Sequence, residues 1–317
     1  MKEFIIGKND AGQRLDKFIQ KTLTTLPPSL MYKAIRTKKI KVNRKRAEQS
    51  QMLCEGDSVQ CFLAPEFFAP LEDPDDAYLS IKPSLNIVYE DENVLLADKK
   101  PGMLSHSDEG GDRNTLIDHI KAYLYQKGEY DPDSENSFAP ALCNRIDRNT
   151  GGIVIAAKNA AALREMNERI KARDVRKYYL CAVHGAMRKQ ADILTAYLIK
   201  DRSTNTVKVY DEPGKGRVKI VTEYKVLKEK NGSSLLEVRL ITGKTHQIRS
   251  HFSHIGHPLL GDGKYGVNRD DKKQGYRFQA LYSYKVVFDF PSGVLSYLNG
   301  KEFRVDEGGI WFIGDFK

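Results

Sequence analysis

Apolar residues recur at helical spacing in two neighbouring segments near the start of the chain. Their positions are Leu15, Phe18, Ile19 and Leu23 in the first segment and Leu30, Ala34 and Ile35 in the second. Residues 27–29, two prolines and a serine, are expected to end the first helix and cap the second. Residues 40–43 and 57–62 then alternate like short strands. Two helices followed by a hairpin predict a small module at residues 12–63.

The pattern changes after this module. Residues 64–84 contain four prolines among acidic side chains, and proline with net negative charge makes a poor core, so we predict a linker there. Beyond it, residues 93–97 and 219–227 are strand-like, and residues 236–240 alternate as in a half-exposed antiparallel strand. We therefore predict an α+β domain at residues 85–317, with a mixed, mostly antiparallel sheet and flanking helices.

Positive charge is concentrated in the predicted module. The chain of 317 residues has a formal net charge of +9, and residues 33–46 contain eight basic side chains and no acidic one. A local positive field of this kind favours a polyanionic partner such as nucleic acid, although a solvated surface would look the same. The candidate RNA-binding side chains here are Lys33, Arg36, Lys38, Lys39, Lys41 and Arg44.

Cysteine and apolar content bear on the compartment. The four cysteines, at positions 54, 61, 143 and 181, show no Cys-X-X-Cys spacing and no framework of a small secreted protein. The first residues include an apolar run of only three, and no apolar run approaches the roughly eighteen residues needed to span a bilayer. We expect a cytoplasmic protein with reduced thiols and no membrane partner.

Residues 143–152, Cys-Asn-Arg-Ile-Asp-Arg-Asn-Thr-Gly-Gly, place one carboxylate among arginines. Asp147 lies between Arg145 and Arg148, and the small-residue turn leads into the apolar residues 153–157, which predict a buried strand. The carboxylate is therefore expected at a strand end that lines a cleft, where the arginines would keep it ionised. Two interpretations remain at this point: a nucleophile, or a structural ion pair that stabilises a loop.

Four further blocks follow one another in a fixed order around this segment. They are Asp98 to Met103 with His106, Lys177 to Gly185, Leu240 to Phe252, and Gly256 to Gly266. Together with residues 143–152, these blocks resemble the motifs of the RluA-type pseudouridine synthases. The resemblance covers residues 85 to about 300 and is specific because several motifs occur in order.

The resemblance implies an isomerase that converts uridine in RNA to pseudouridine and needs no cofactor. Asp147 would be the catalytic aspartate, and Arg249 matches the family's basic partner. Tyr179, the second tyrosine of an adjacent pair, would stack on the base and could relay a proton. Arg145 matches the arginine that is expected to enter the space left by the flipped base.

Two positions depart from the family pattern. Asn144 stands where the family usually has histidine, and Gly151 stands where it usually has serine. Asparagine retains hydrogen-bonding capacity without the imidazole's charge or stacking area, so Asn144 remains a candidate RNA contact.

The basic module at residues 12–63 also resembles a known type, the alpha-L RNA-binding module first known from a ribosomal small-subunit protein.

Four histidines lie between positions 246 and 257, which raises the question of a metal site. Only His251 and His254 are spaced to share a helix face, and no cysteine or carboxylate accompanies them before Asp262, so we predict no metal site. We expect instead a helix capped by Thr245, with Ile248, Phe252 and Ile255 as its apolar face, that ends at Gly256.

The sequence leaves two candidate RNA substrates and three candidate classes of protein. The resemblance favours large-subunit ribosomal RNA, with transfer RNA as the alternative, and we expect a monomer with no obligatory protein partner. A non-catalytic RNA-binding or ribosome-assembly protein is the competing class, and a hydrolase that uses Asp147 with a histidine is a third. The presence of all three candidate catalytic residues, Asp147, Tyr179 and Arg249, favours the enzyme, because RNA binding alone would not require them.

Overall fold

The computed structural model describes residues 1–68, 78–107, 114–201 and 203–317. Two compact units divide the chain. The first unit comprises residues 1–84, 117–141 and 157–164, and the second comprises residues 85–116, 142–156 and 165–317. Of the linker predicted at residues 64–84, residues 69–77 lie outside the described residues. The predicted domain boundaries therefore stay a prediction.

In the first unit, two helices pack with an antiparallel sheet. The helices are α1 Leu15–Thr22 and α2 Pro28–Arg36, and the strands are β1 Lys2–Ile5, β2 Ile40–Val42, β3 Lys45–Arg46 and β4 Ser58–Cys61. The strand order is β1-β4-β2-β3. The helices and strands enclose one apolar core, to which both helices contribute.

Most of the predicted apolar face of this unit is buried, but one position was wrong. Leu30 is 43% exposed, and Met31, which is 1% exposed, takes the core position instead. The residue before α2 is Pro27, and no described side chain caps the helix, so Ser29 does not have the predicted capping role. The fixed φ of Pro28 at the first helical position already favours the helix start.

The remaining helices and strands follow in chain order, and most of them lie in the second unit, whereas residues 117–126 and 160–164 belong to the first. The helices are α3 Leu116–Gln126, α4 Ala160–Ala172, α5 Gln247–His254 and α6 Arg269–Lys273. The strands are β5 Ile87–Glu90, β6 Val94–Lys99, β7 Ala141–Leu142, β8 Gly151–Ala157, β9 Val175–His184, β10 Ala191–Asp201, β11 Thr206–Tyr210, β12 Val218–Lys230, β13 Ser233–Leu240, β14 Leu281–Phe288 and β15 Glu302–Arg304. The strands predicted from alternation are confirmed.

The second unit is built on a mixed sheet with the strand order β11-β10-β12-β13-β9-β14-β8-β6-β5. Neighbouring strands from β11 to β14 pair antiparallel, whereas β14 pairs parallel with β8. Strand β8 is buried along its whole length, as its run of apolar residues predicts. The predicted α+β class with a mixed, mostly antiparallel sheet is confirmed.

Glycines at the start of β8 permit its close approach to β14. A Cβ built on Gly151 would lie 2.3 Å from the ring of Tyr282, and one built on Gly152 would lie 2.2 Å from the carbonyl oxygen of Ser283. Gly152 also has a φ of +113°, which L side chains seldom adopt. These two positions therefore exclude side chains where the loop that precedes β8 enters the sheet.

Candidate active site

Asp147 lies in the loop between β7 and β8, as the sequence predicted for a carboxylate at a strand end. Its side chain is 26% exposed and lines a cavity of about 1140 Å³ within the second unit. This volume slightly exceeds the roughly 300–1,000 Å³ typical of small-molecule sites, so a group of nucleotide size has room to enter. Residues 143–150 form one wall of the cavity.

Arg249 bridges two carboxylates that are far apart in the sequence. Its Nη1 donates to Oδ2 of Asp147 at 2.8 Å. On its other edge, Nε donates to Oδ2 of Asp262 at 2.6 Å and Nη2 donates to Oδ1 of the same carboxylate at 2.9 Å. Arg249 is 7% exposed and Asp262 is 1% exposed. The structure thus brings the predicted aspartate and arginine together and adds Asp262, which sequence reasoning did not single out.

The charges of Arg249 and Asp262 stabilise each other against burial. Burial opposes the charge of Arg249, but the hydrogen bonds and charges of Asp262 and Asp147 outweigh it and raise the pKa of the guanidinium. Burial likewise opposes the charge of Asp262, but Arg249 and the backbone N–H groups of Lys264 and Tyr265 lower the pKa of its carboxyl. Arg249 and Asp262 therefore remain ionised across the physiological range.

Helix α5 presents Arg249 from its first turn, but its start differs from the prediction. Thr245 does not cap the helix; the residue before it is His246, which has a φ of +52°, and no described side chain caps it. Gln247 instead organises the turn, since its Oε1 accepts from the backbone N–H of Lys244 at 3.1 Å. Its Nε2 donates to the carbonyl of Val221 in β12 at 3.1 Å.

Tyr179 lies on β9 and lines the cavity, whereas Tyr178 contacts the Lys285 ammonium with its ring. Tyr179 is 6% exposed. Burial raises the pKa of its hydroxyl to about 12, and the charge of Asp147 acts in the same direction while Ser283 opposes it. The Tyr179 hydroxyl therefore stays protonated at neutral pH. Sequence reasoning selected the tyrosine that does line the cavity.

The two remaining candidates on the Asp147 loop have different environments. Arg145 is exposed and lines the cavity. Asn144 also lines the cavity, but its Oδ1 accepts from the backbone N–H of Ile155 in β8 at 2.8 Å. The asparagine oxygen thus joins the loop to the strand.

Lys99 is a buried cation that sequence reasoning quoted within a motif but did not single out. It is 1% exposed, and its Nζ donates to the carbonyls of Met103 at 2.7 Å, Arg148 at 2.9 Å and Lys100 at 3.2 Å. Burial lowers the pKa of Lys99 to about 8, while Asp147 and Asp98 oppose the shift. Lys99 therefore connects the turn after β6 to the loop of Asp147.

Comparison with known proteins assigns the family. A family model described as RNA pseudouridylate synthase matches residues 93–254. A protein of Mycoplasma capricolum named as an uncharacterized RNA pseudouridine synthase is 36% identical over 95% of this chain and 96% of its own length. The chain belongs to the RNA pseudouridylate synthase family.

Other members of the family and a solved structure agree. The ribosomal large subunit pseudouridine synthase C of Vibrio vulnificus is 30% identical over 90% of this chain and 88% of its own length. A solved structure of human RNA Pseudouridylate Synthase Domain Containing 4 has a TM-score of 0.55 at 20% identity, and covers 70% of this chain and 88% of its own. This structural likeness confirms the predicted fold.

Family membership makes this protein an isomerase that acts on RNA, and it supports the enzyme over a non-catalytic RNA-binding protein.

Two of the histidines considered as metal ligands have protein partners: Nδ1 of His251 is 2.9 Å from the Thr222 hydroxyl, and Nε2 of His254 is 2.7 Å from Oδ1 of Asp211. No helix in the described part of the chain is both long and apolar enough to cross a bilayer.

The basic candidates of the first unit form an accessible surface. Five of the six are exposed, and Lys41 is half-buried with its ammonium 5.4 Å from the centre of the Phe62 ring. Lys38, which follows α2, and Arg44, which lies between β2 and β3, both have φ values of +64°. None of the six forms an ion pair with another described residue. Their charges therefore remain available to a polyanion.

Proposed function

We propose that this enzyme isomerises specific uridines of large-subunit ribosomal RNA, with Asp147 as its catalytic carboxylate. The observation that carries the assignment of Asp147 is its 2.8 Å hydrogen bond from Arg249 inside the cavity. The ribosomal substrate is supported by relatives of about 30% identity that are named ribosomal large subunit pseudouridine synthase C.

The contacts of Asp147 distinguish its two oxygens. Arg249 donates to Oδ2, and Nε2 of His246 lies 3.8 Å from the same oxygen. We infer that Oδ1 is the atom that reacts, because Oδ2 is already engaged. Attack on the sugar, attack on the base and abstraction of a sugar proton all need this carboxylate ionised and closely held.

The other cavity residues have complementary roles in this proposal. Tyr179 stacks on the flipped base and keeps its hydroxyl proton, so it can donate a hydrogen bond or relay that proton. Arg145, which is exposed at the cavity, enters the space that the uridine leaves in the RNA. Extracting the base costs a few kcal/mol, which favours loops and junctions over perfect duplex.

In this proposal the basic surface of the first unit binds the RNA backbone. Asn144 contacts the RNA at the cavity. The six exposed or half-exposed cations offer sites for phosphates, and phosphate contacts supply affinity without reading sequence. We further propose that the enzyme acts as a cytoplasmic monomer without a cofactor, metal or obligatory protein partner, which gel filtration and assay of the purified chain would test.

The catalytic assignment is tested by replacing Asp147 with asparagine, a nearly isosteric change that removes the ionised carboxylate. We expect no tritium release from RNA labelled at carbon-5 of uridine, with RNA affinity within a few-fold of wild type. Asp211→Asn is a matched control, because Asp211 is an 82% exposed carboxylate outside the cavity. Substantial turnover by the Asp147→Asn variant would remove the aspartate from the mechanism.

The substrate is tested by mapping pseudouridines in total RNA from cells that lack the protein. We expect one or more sites in large-subunit ribosomal RNA to disappear, and to return with the wild-type gene but not with Asp147→Asn. Loss confined to transfer RNA would instead establish the alternative substrate.

A further inference from the structure

His246 has an unusual backbone conformation beside the catalytic carboxylate. Its φ of +52° and ψ of +22° are left-handed, which is uncommon for a residue other than glycine and concentrates at functional sites. The side chain is 9% exposed, and its Nε2 lies 3.8 Å from Oδ2 of Asp147. This separation is too long for a hydrogen bond, so the Nε2 atom is close to the reaction centre without being bound to the carboxylate.

The opposite nitrogen of the ring is hydrogen-bonded to a tyrosine hydroxyl. Nδ1 of His246 lies 2.7 Å from the hydroxyl oxygen of Tyr265. That oxygen already accepts a hydrogen bond from the backbone N–H of Val207 at 3.0 Å. The Tyr265 hydroxyl proton is therefore free to be donated to Nδ1. A neutral imidazole carries one N–H, so an accepting Nδ1 places the proton on Nε2.

We propose that His246 is a second catalytic residue, whose Nε2–H donates a hydrogen bond to an oxygen of the flipped uridine, and that Tyr265 is the positioning residue that sets this tautomer. The proposal rests on the proposed role of Asp147. Cleavage of the glycosidic bond leaves negative charge on the uracil, shared by its carbonyl oxygens, and a fixed N–H donor stabilises such charge. His246 makes and breaks no covalent bond in this role.

The surroundings of His246 favour the neutral ring that this role requires. Burial lowers the pKa of the imidazole, and the positive charges of Arg249 and Lys264 lower it further. Asp147 and Asp262 oppose the shift without reversing it. At neutral pH the ring therefore donates from one nitrogen and accepts at the other.

Nuclear magnetic resonance tests the tautomer independently of activity. In protein labelled with nitrogen-15 on histidine, we expect the His246 ring at pH 7.5 to show the shifts of the Nε2–H form. In Tyr265→Phe, which keeps the ring but removes the hydroxyl, we expect a mixture of tautomers. A predominant Nδ1–H or doubly protonated ring in the wild type would overturn the proposal, whether or not Asp147 is catalytic.

Single-turnover kinetics at saturating RNA test the donor. Loss of one such donor typically costs about 100- to 1,000-fold in rate, and we expect a decrease of that order for His246→Ala with RNA affinity unchanged. His246→Gln, whose amide nitrogen can donate, should recover most of the rate. His254→Gln is the matched control, because His254 lies on α5, which His246 immediately precedes, and pairs with the exposed Asp211. Equal rates for the alanine and glutamine variants of His246 would overturn the donor role.

A double-mutant cycle connects the two residues. We expect Tyr265→Phe to lower the rate about 10-fold when His246 is present and to have little effect in the His246→Ala variant, because the tautomer then no longer matters. Tyr224→Phe, which removes the hydrogen bond from another tyrosine hydroxyl to the backbone carbonyl of Lys189, serves as the control for general destabilisation. The same decrease from Tyr265→Phe in both backgrounds would show that Tyr265 is only structural.

Discussion

Asp262 binds Arg249 along one edge of the guanidinium, with hydrogen bonds of 2.6 and 2.9 Å, and this leaves Nη1 directed at Asp147. A planar fork bound on two of its donors has little freedom to rotate. The orientation of the arginine toward Asp147 is therefore determined by Asp262.

Replacing Asp262 with asparagine should reduce catalysis more than binding. The neutral amide can accept from only one of the two guanidinium nitrogens, so Arg249 gains freedom, and a misplacement of about 1 Å near the reaction centre can cost on the order of 100-fold in rate. We expect such a decrease in single-turnover rate, with RNA affinity within a few-fold. A wild-type rate in the folded variant would show that Arg249 keeps its orientation without the carboxylate.

Substitutions of Arg249 separate its charge from its shape. Arg249→Ala leaves two carboxylates without their shared cation, so we expect a large loss of turnover and a lower free energy of unfolding by about 3–5 kcal/mol. Arg249→Lys restores the charge without the planar fork and should recover part of both. Turnover assays and urea unfolding measure the two effects. Identical turnover for alanine and wild type would leave Arg249 as a packing residue.

The ring of Tyr282 leaves no space for a side chain at Gly151, because a Cβ at position 151 would lie 2.3 Å from that ring. We expect Gly151→Ser to lower the free energy of unfolding by about 1–3 kcal/mol through overpacking. In the Tyr282→Val background the same serine should cost much less, which urea unfolding would reveal as non-additivity. Gly309→Ser is the control, since no atom lies within 4 Å of a Cβ there. Equal costs in both backgrounds would contradict the steric explanation.

Stability should fall in mildly acidic solution because of His251. Burial lowers the pKa of this histidine to about 4 from its ordinary 6.5, and the unfolded chain therefore binds more protons in between. Stability is complete above pH 6.5 and decreases as the pH falls toward 4, by about 3 kcal/mol for this residue. Unfolding measured from pH 7 to 4 should show a shallower decrease for His251→Gln than for wild type.

The basic surface of the first unit should account for much of the salt dependence of RNA binding. We expect glutamine substitutions at Lys33, Arg36, Lys38, Lys39, Lys41 and Arg44 to lower the slope of log affinity against log salt, by about 0.7–0.9 for each phosphate that is no longer neutralised. Single-turnover chemistry at saturating RNA should survive. Lys301→Gln in the second unit is a control for net charge. An unchanged slope in the sixfold variant would identify this face as a solvated surface.

Local patterns in the sequence were sufficient for several helices and strands and for the family. Apolar spacing predicted α1, β8 and the alternating strand β13, because helix and strand periods are properties of neighbouring residues. The ordered motif blocks predicted the family, and through it the candidates Asp147 and Arg249. Local pattern was less reliable at helix ends, since Thr245 was predicted as a cap and His246 with a left-handed backbone precedes α5 instead.

The tertiary structure decided which residues meet. Asp147 and Arg249 are 102 positions apart, and their contact arises from separate elements of the folded second unit. The Tyr265 hydroxyl likewise joins three segments of the chain, because it is hydrogen-bonded to both Val207 and His246. A sequence pattern reports the face on which a side chain lies, whereas a hydrogen-bond partner across the fold depends on how distant segments pack, and that information is not local to any motif.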